Sequence, residues 1–329
     1  MLVPRHTLPE SFVERHAALR DYFCDKDAEA KEVADGWELN LSWPGGVERH
    51  VDLRLDEGLA WWGDDARREG MALARRREGK VLRALYDSWT LHSWSEWLSR
   101  QSTLPSHLTI LHVDDHEDLG SPRLFTEAGS WINAITGESV SLTDPLSVQS
   151  AIVSGAIGMG SFMTPFLHAL PFCDVRHLRQ PPKTRGTEDF DIVLTSTPDT
   201  LIAPGHLRPA VKLVRCESGV GAGRLRTTSD MADWLTDIQP GPILVHIDMD
   251  YFNNRYDGDS DWETHPERLD ATADEISGAI TIMIEALASR QLVERLEDVV
   301  IAFSPGFFPA EFWAEADARL RAGLRGLYD

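Results

Sequence analysis

Five short apolar runs in the C-terminal two thirds of the chain constrain its fold more than any other feature. These β-rich runs cover residues 108–114, 189–197, 210–216, 243–250 and 298–306. Stretches with helical spacing separate several of them, and residues 267–293 form the clearest of these because they carry one continuous apolar face. Apolar strands joined by helices are typical of an α/β domain with a mostly parallel sheet.

The first 75 residues do not follow this pattern and are predicted to form an accessory region. Residues 9–23 have the apolar spacing of a helix, and residues 37–55 alternate around a Pro-Gly-Gly turn, which predicts a β-hairpin. A further helix is expected from about Asp64 to Leu85. The sequence therefore predicts two parts, an N-terminal helix and β-hairpin over residues 1–75 and an α/β domain over residues 76–329.

Composition narrows the class of partner. The formal net charge of −21 argues against a nucleic-acid binder, since phosphate contacts require a basic surface. No apolar run reaches the roughly 18 residues of a membrane helix, and the N-terminus lacks the apolar core of a signal peptide. Three widely separated cysteines argue against a disulfide framework. We therefore expect a cytoplasmic protein with no nucleic-acid and no membrane partner.

The run 108–114 ends in the acidic segment "DDHED". In an extended chain Asp114, His116 and Asp118 point to one side, while Asp115 and Glu117 point to the other, where we expect no function for them. The first three side chains thus offer two carboxylates and one imidazole to the same space. A solvated strand end would explain this segment taken alone.

Asp248 and Asp250 repeat the same spacing at the end of the run 243–250. Ligands bind at the carboxyl ends of parallel strands, so both acidic segments are expected in one cleft. Four carboxylates cannot all stay ionised there without a counter-charge, and one or two divalent metal ions would supply it. Carboxylates with a minority of imidazole suit manganese first, with iron or zinc as second choices.

These segments resemble the motifs of the arginase-like, or ureohydrolase, superfamily of metal hydrolases. "DDHED" is similar to its D-x-H-x-D motif, and "IDMDYF" is similar to its second D-x-D motif. "TLHSW" places His92 at 22 residues before Asp114, where the superfamily has a further histidine ligand. The resemblance covers about residues 85–312 and implies the three-layer α/β fold that arginases share with deacetylases.

The resemblance also implies the residues of the site. Two Mn²⁺ ions would be held by His92, Asp114, His116, Asp118, Asp248 and Asp250, with Asp114 and Asp248 bridging. Asp118 would in addition accept a hydrogen bond from the reacting water, and His168 and His265 are candidate proton donors. Candidate substrate contacts are Asp257, in an acidic loop, and Asn253 and Ser304, which stand where arginases have a third aspartate and a guanidinium-binding glutamate.

The departures from free-arginine arginases make the chain look more like a divergent branch of the superfamily. That branch includes the peptide arginases of ribosomal-peptide biosynthesis, which convert arginine side chains of a precursor peptide to ornithine with release of urea. Three alternatives remain at this point: a deacetylase-like amidohydrolase with one zinc and a histidine pair, a hydrolase of free guanidino compounds, and a non-enzymatic metal-stabilised binding module. The sequence does not indicate the oligomeric state.

Overall fold

The computed structural model describes residues 1–23, 25–46, 49–63, 66–127, 130–216, 223–258, 261–264 and 268–329. Its helices are α1 (Phe12–Phe23), α2 (Leu55–Trp62), α3 (Trp89–Ser99), α4 (Pro145–Ser154), α5 (Met163–Ala169), α6 (Met231–Trp234), α7 (Ala273–Ser289) and α8 (Trp313–Gly323). Its strands are β1 (Leu2–Pro4), β2 (Asp27–Val33), β3 (Gly36–Ser42), β4 (Arg75–Glu78), β5 (Val81–Ala84), β6 (Leu108–Val113), β7 (Leu124–Glu127), β8 (Ser130–Asn133), β9 (Ser139–Val140), β10 (Cys173–Leu178), β11 (Glu188–Pro198), β12 (Leu207–Arg215), β13 (Gly223–Thr228), β14 (Ile243–Asp248) and β15 (Leu296–Ala302).

Nine strands form the central sheet in the order β12-β11-β13-β10-β6-β14-β15-β5-β4. The six strands from β13 to β5 run parallel. At one edge β11 pairs antiparallel with β13 and β12 pairs antiparallel with β11, and at the other edge β4 pairs antiparallel with β5. Every residue of β6 and β14 is buried, as expected for apolar central strands covered on both faces. The mostly parallel α/β sheet predicted from the sequence is therefore confirmed, and it is compatible with a three-layer fold.

The N-terminal module, which we define as residues 1–42, has a small apolar core of its own. Val3, Leu19, Phe23 and Trp37 belong to this core, together with Leu201 from the main domain. Residues of α2, which we assigned to the N-terminal region, pack instead into the large core of the main domain. The division between the two cores thus falls earlier in the chain than residue 75.

Two local predictions for this region were wrong. The observed hairpin pairs β2 with β3, both before the Pro-Gly-Gly turn. The described residues after that turn, 49–54, form no strand. The second half of the predicted 64–85 helix is an antiparallel pair, β4 and β5, that forms one edge of the central sheet. The sequence of β4 is charged throughout, and β2 alternates charged residues only with small alanines, so neither has the strong apolar alternation that marks a strand.

The parallel strands place the loops of the site at one edge of the sheet. Strands β10, β6, β14, β15 and β5 lie side by side in register, so their carboxyl ends meet there. The loops that follow β5, β6, β14 and β15 therefore converge. Among the described helices, none combines the length and the apolar composition needed to cross a membrane.

Candidate metal centre

A cleft of about 690 Å³ opens at this edge of the sheet, and we call it the metal cleft. Asp87, His116, Asp118, Asp248 and Asp250 line it. Four of these five residues were predicted as metal ligands from the two acidic motifs. The fifth, Asp87, follows β5 and was not predicted.

The two motifs converge through tight turns rather than through strand alternation. Strand β6 ends at Val113, and the backbone N–H of His116 donates to Asp114 Oδ1 at 2.5 Å. The second motif folds in the same way, because the N–H of Asp250 donates to Asp248 Oδ1 at 3.1 Å. In each motif the first aspartate therefore bends the chain, which brings the next ligand back towards it.

A hydrogen bond joins the two turns directly. The N–H of Asp115 donates to Asp250 Oδ1 at 3.1 Å, and Asp250 Oδ2 lies 2.8 Å from His116 Nδ1. Asp118 completes the first motif with a φ of 52°, in the left-handed region that aspartate tolerates better than most residues. These contacts hold the two acidic motifs together as one unit.

Four groups of side chains bring potential ligand atoms within 4.8 Å of one another. The groups are Asp87/Asp114/His246/Asp248, His112/Asp114/Asp118/His246, Asp114/His116/Asp250 and Asp115/His116/Asp257. Asp114 belongs to three of the four groups. The described residues therefore offer neighbouring groups that could hold a metal ion, and three of these groups share the Asp114 carboxylate.

The pKa values of four carboxyl groups show that the positive charge beside them does not offset their burial and mutual repulsion. Burial, followed by repulsion from Asp114, raises the pKa of Asp87 and Asp118 well above its usual range. Burial and repulsion from Asp250 do the same for Asp248, and burial with the Asp114 charge raises the pKa of Asp250 to about 6. Desolvated carboxylates that repel one another are stabilised by a divalent cation.

The buried polar atoms fit such a cation. Asp114 Oδ2, Asp118 Oδ2 and His246 Nε2 are buried without a hydrogen-bond partner among the described residues. Buried polar groups normally have such a partner, so unpaired oxygens in this cluster of aspartates fit a bound cation. Oxygen atoms with a few imidazole nitrogens suit Mn²⁺, Fe²⁺ or Zn²⁺.

Three fully buried histidines lie on neighbouring strands beneath the carboxylates. His112 on β6 pairs in register with His177 on β10 and with His246 on β14. The Nδ1 atoms of His112 and His246 are 3.0 Å apart, and His246 Nδ1 is 3.5 Å from Asp114 Oδ2. Burial lowers the pKa of all three, so the imidazoles are neutral. His112 and His246 belong to the ligand groups found among the described residues, whereas His177 does not.

The sequence carried a signal for two of these histidines. His112 and His246 each stand two residues before the first aspartate of their motif, in "HVD" and "HID". Neither histidine is among the residues predicted as metal ligands. The spacing of two within a strand puts each histidine on the same face as its aspartate, one step deeper.

His92 does not lie with the other predicted ligands. It is on α3, where its ring packs against Trp89, and it is absent from the four groups found among the described residues. Its charged neighbours are Glu96, Arg75 and Arg77. Asp87 holds the place in the cleft that we expected for His92, because Asp87 directly follows β5 whereas α3 carries His92 away.

The candidate proton donors are not brought to the cleft either. The Nε2–H of His168 donates to the backbone carbonyl of Ala210 at 2.9 Å, and His168 lines a separate groove beside β8 and β9. His265 lies outside the described residues. His168 therefore lies outside the residues that line the metal cleft.

The three candidate substrate residues have different surroundings. Ser304 Oγ donates to Asp248 Oδ2 at 2.6 Å, so it orients a ligand at the floor of the cleft. Asp257 Oδ1 lies 3.1 Å from His116 Nε2 and 3.2 Å from Lys183 Nζ, at the rim. Asn253 is fully buried and donates to the carbonyl of Ala271 at 2.7 Å, which makes it a loop support rather than a substrate contact.

Asp115 also differs from its prediction. Its side chain is buried, lies 2.6 Å from Lys183 Nζ and accepts a hydrogen bond from Asn254 Nδ2 at 2.8 Å. It thus ties the first motif to the loops that carry Lys183 and Asn254, and does not point into solvent. The reason is the turn at Asp114, which ends the strand alternation on which the prediction was based.

The sequence matches no protein-family model, and a search of curated proteins finds no significant match.

Proposed function

We propose that this chain is an arginase-like hydrolase that uses two divalent metal ions, Mn²⁺ in the first instance, to convert arginine side chains of a peptide to ornithine and urea. The sharing of Asp114 by adjacent ligand groups is the observation that carries this proposal. A shared carboxylate is how two metal ions come close enough to act on one substrate. The superfamily resemblance supplies the reaction class.

The chain's own residues divide into two ligand sets. Asp87, Asp114, His246 and Asp248 would hold one ion, and Asp114, His116 and Asp250 would hold the other. When bound, such a pair supplies a water molecule of lowered pKa as the nucleophile and neutralises the crowded carboxylates. Asp118 lines the cleft between these sets and the substrate side, with an unpartnered oxygen that can accept a hydrogen bond.

The residues around the ligands fix and shield them. Ser304 holds Asp248 in one orientation, and such supporting hydrogen bonds typically matter tenfold to a hundredfold for metal affinity or activity. The Phe307 ring packs edge-on against the imidazole of His116, with ring centroids 5.4 Å apart. Glu117 and Asp118 line the cleft outside the two ligand sets, and their carboxylates suit a planar guanidinium cation with five N–H donors.

The histidine pair bears on the deacetylase-like alternative. That reading requires a histidine pair that acts on the substrate, and His112 and His246 do form a close pair. Both are fully buried beneath Asp114, so neither can touch a substrate in the cleft. The pair therefore supports a role in holding the ligands, and the geometry favours two metal ions over a single zinc with a histidine dyad.

Mass spectrometry tests the proposal. The manganese-loaded full chain is incubated with arginine-containing peptides and with free arginine, and Asp114→Ala serves as the matched inactive control. The expected result is a loss of CH₂N₂ per processed arginine, with release of urea, in the wild type alone. A fully metallated wild type that leaves every peptide unchanged would contradict the proposal.

A further inference from the structure

A second cavity of about 430 Å³ adjoins the metal cleft, and we call it the side cavity. The two share three lining residues, Met159, Gly160 and Phe307. Tyr86 lines the side cavity, and the next residue, Asp87, lines the metal cleft. The two spaces therefore adjoin at these residues.

The N-terminal module forms the far side of this cavity. Arg20, Asp21 and Asp25 line it, the first two on α1 and the third just beyond. Hence the module belongs to the surroundings of the metal centre, although its apolar core is separate.

Asp25 also holds the wall that the two cavities share. Its Oδ2 accepts a hydrogen bond from the backbone N–H of Met159 at 2.8 Å. A side chain at Gly158 would meet the Asp25 carboxylate, because a Cβ there would lie 2.7 Å from Oδ2. On the other side of this segment, the N–H of Gly120 donates to the carbonyl of Gly160 at 2.8 Å. The segment is thus fixed between the N-terminal module and the loop that follows Asp118.

The opposite wall is fixed in a similar way. Gly306 has a φ of 90°, and a Cβ there would lie 2.7 Å from the carbonyl oxygen of Arg49. The phenol of Tyr86 lies 3.3 Å from His50 Nε2. Residues 49 and 50, which follow the N-terminal module, are therefore packed against both the Phe307 loop and the Tyr86–Asp87 segment.

The lining of the side cavity is mixed, with apolar walls from Met159 and Phe307 and several polar groups. It combines two arginines and two aspartates with the phenol of Tyr86 and the imidazole of His50. One arginine side chain would occupy only the metal cleft. A polypeptide whose arginine enters the metal cleft must also place its neighbouring residues, and the adjoining cavity offers the space for them.

We propose that the side cavity binds the peptide segment next to the reacting arginine, with α1 of the N-terminal module forming one side of the binding surface. This inference rests on the proposed function for the identity of the substrate. It makes the N-terminal module part of the substrate-binding surface. Asp21 is exposed on α1 and lines the side cavity, so Asp21→Lys changes the charge that a residue beside the arginine meets there.

The test compares two fluorescently labelled peptides that differ only beside a central arginine, where one has lysine and the other glutamate. Wild type, Asp21→Lys and Glu14→Lys are measured as manganese-loaded full chains. Glu14 is the matched control because it is exposed on the same helix but does not line the side cavity. We expect Asp21→Lys to lower the kcat/KM ratio of the lysine peptide to the glutamate peptide by about threefold to fivefold, the size of one exposed charge pair.

An unchanged ratio in Asp21→Lys, or an equal change in Glu14→Lys, would overturn the inference. Failure of the proposed function gives a different result, since no peptide would then be hydrolysed by any variant. In that event fluorescence anisotropy of the same peptides measures binding directly. The same dependence on Asp21 in the binding ratio would support the side cavity, and its absence would reject it.

A steric variant gives an independent reading. A Cβ added at Gly160 meets no atom within 4 Å, so Gly160→Leu is expected to fold normally and to place bulk at the junction of the two cavities. We expect it to lower kcat/KM for the peptides more than for N-acetylarginine amide, which has no neighbouring residues. An equal loss for both, with unchanged metal content, would count against the side cavity.

Discussion

Strand β15 has a buried acidic group near each of its ends, and the two groups are neutralised differently. Near its start, Asp298 is fully buried and pairs with Arg77 at 2.9 Å while accepting a hydrogen bond from Ser93. Beyond its other end, Ser304 donates to Asp248 in the metal cleft. Among the described residues, no lysine or arginine forms an ion pair with the cleft ligands Asp87, Asp114, Asp118, Asp248 and Asp250.

The arginine-paired acids extend beyond Asp298. Asp317 and Glu78 bond to Arg83 and Arg321 where α8 packs near β4 and β5. Arginine side chains thus pair with the acids of this region, but not with the acids of the metal cleft among the described residues. The comparison indicates that the first set of acids stabilises the fold, while the second forms groups that could hold a metal ion.

The largest expected effect comes from removing the shared ligand. Asp114→Ala takes a carboxylate from three ligand groups at once. We expect hydrolysis to fall by more than about a hundredfold, beyond the loss typical of residues that only support a ligand. Metal content by elemental analysis and urea release measure the effect, and an active variant that retains its metal would contradict the assignment.

Breaking the arginine pair should damage stability instead. Asp298→Ala removes the buried partner of Arg77, which is partly exposed and keeps Glu96 at 3.2 Å, so we expect a cost of about 1.5–3 kcal/mol of unfolding free energy. The manganese content of the folded fraction should equal that of the wild type, because Asp298 lies away from the cleft. Urea unfolding gives the stability, and a variant as stable as the wild type would remove the distinction between the two regions.

Neutralising a cleft acid should stabilise the metal-free protein. Asp118→Asn removes one charge from a crowded group, and asparagine also tolerates the positive φ at this position. We expect the unfolding free energy without metal to rise by an amount on the order of 0.5–2 kcal/mol. Thermal melting in the presence of a chelator measures it. A lower Tm for this variant would show that the cleft acids are already neutralised within the protein.

The smallest effect concerns pH and the exposed end of the arginine-paired acids. Hydrogen bonding to Arg321, with the charges of Arg83 and Arg321, lowers the pKa of Glu78 from its usual 4.5 to about 2. A depressed pKa of this kind stabilises the fold above pH 4.5, and the contribution is lost as the pH falls towards 2. The wild type should therefore have a slightly higher Tm than Glu78→Gln at neutral pH. For so exposed a group, the difference in unfolding free energy should be under about 1 kcal/mol. A margin that grows below pH 4 would contradict this.

The central strands and the two acidic motifs were predictable because each has a strong local signal. Strands β6 and β14 are unbroken apolar runs, and each ends in closely spaced acids. Strands β10 and β13 carry arginines within "CDVRHL" and "GRLRTT", which hide the apolar pattern. The charged edge strands β2 and β4 were missed for the same reason.

Asp87 illustrates why part of the site could not be predicted. Its position depends on β5, a strand of four residues that the sequence suggested to be part of a helix. If β5 is predicted as helix, nothing in the sequence distinguishes Asp87 from any other acid. His92, in contrast, matched the spacing of a superfamily motif. The ligand is thus set by where a short strand ends in space, which local spacing does not reveal.

Manganese titration of the wild type, Asp87→Asn and His92→Gln by calorimetry tests the account most directly, because the two residues are neighbours in sequence but face the two different regions. The account predicts two ions per wild-type chain, weakened or incomplete binding in Asp87→Asn, and wild-type binding in His92→Gln. Normal binding in Asp87→Asn together with loss of an ion in His92→Gln would contradict it.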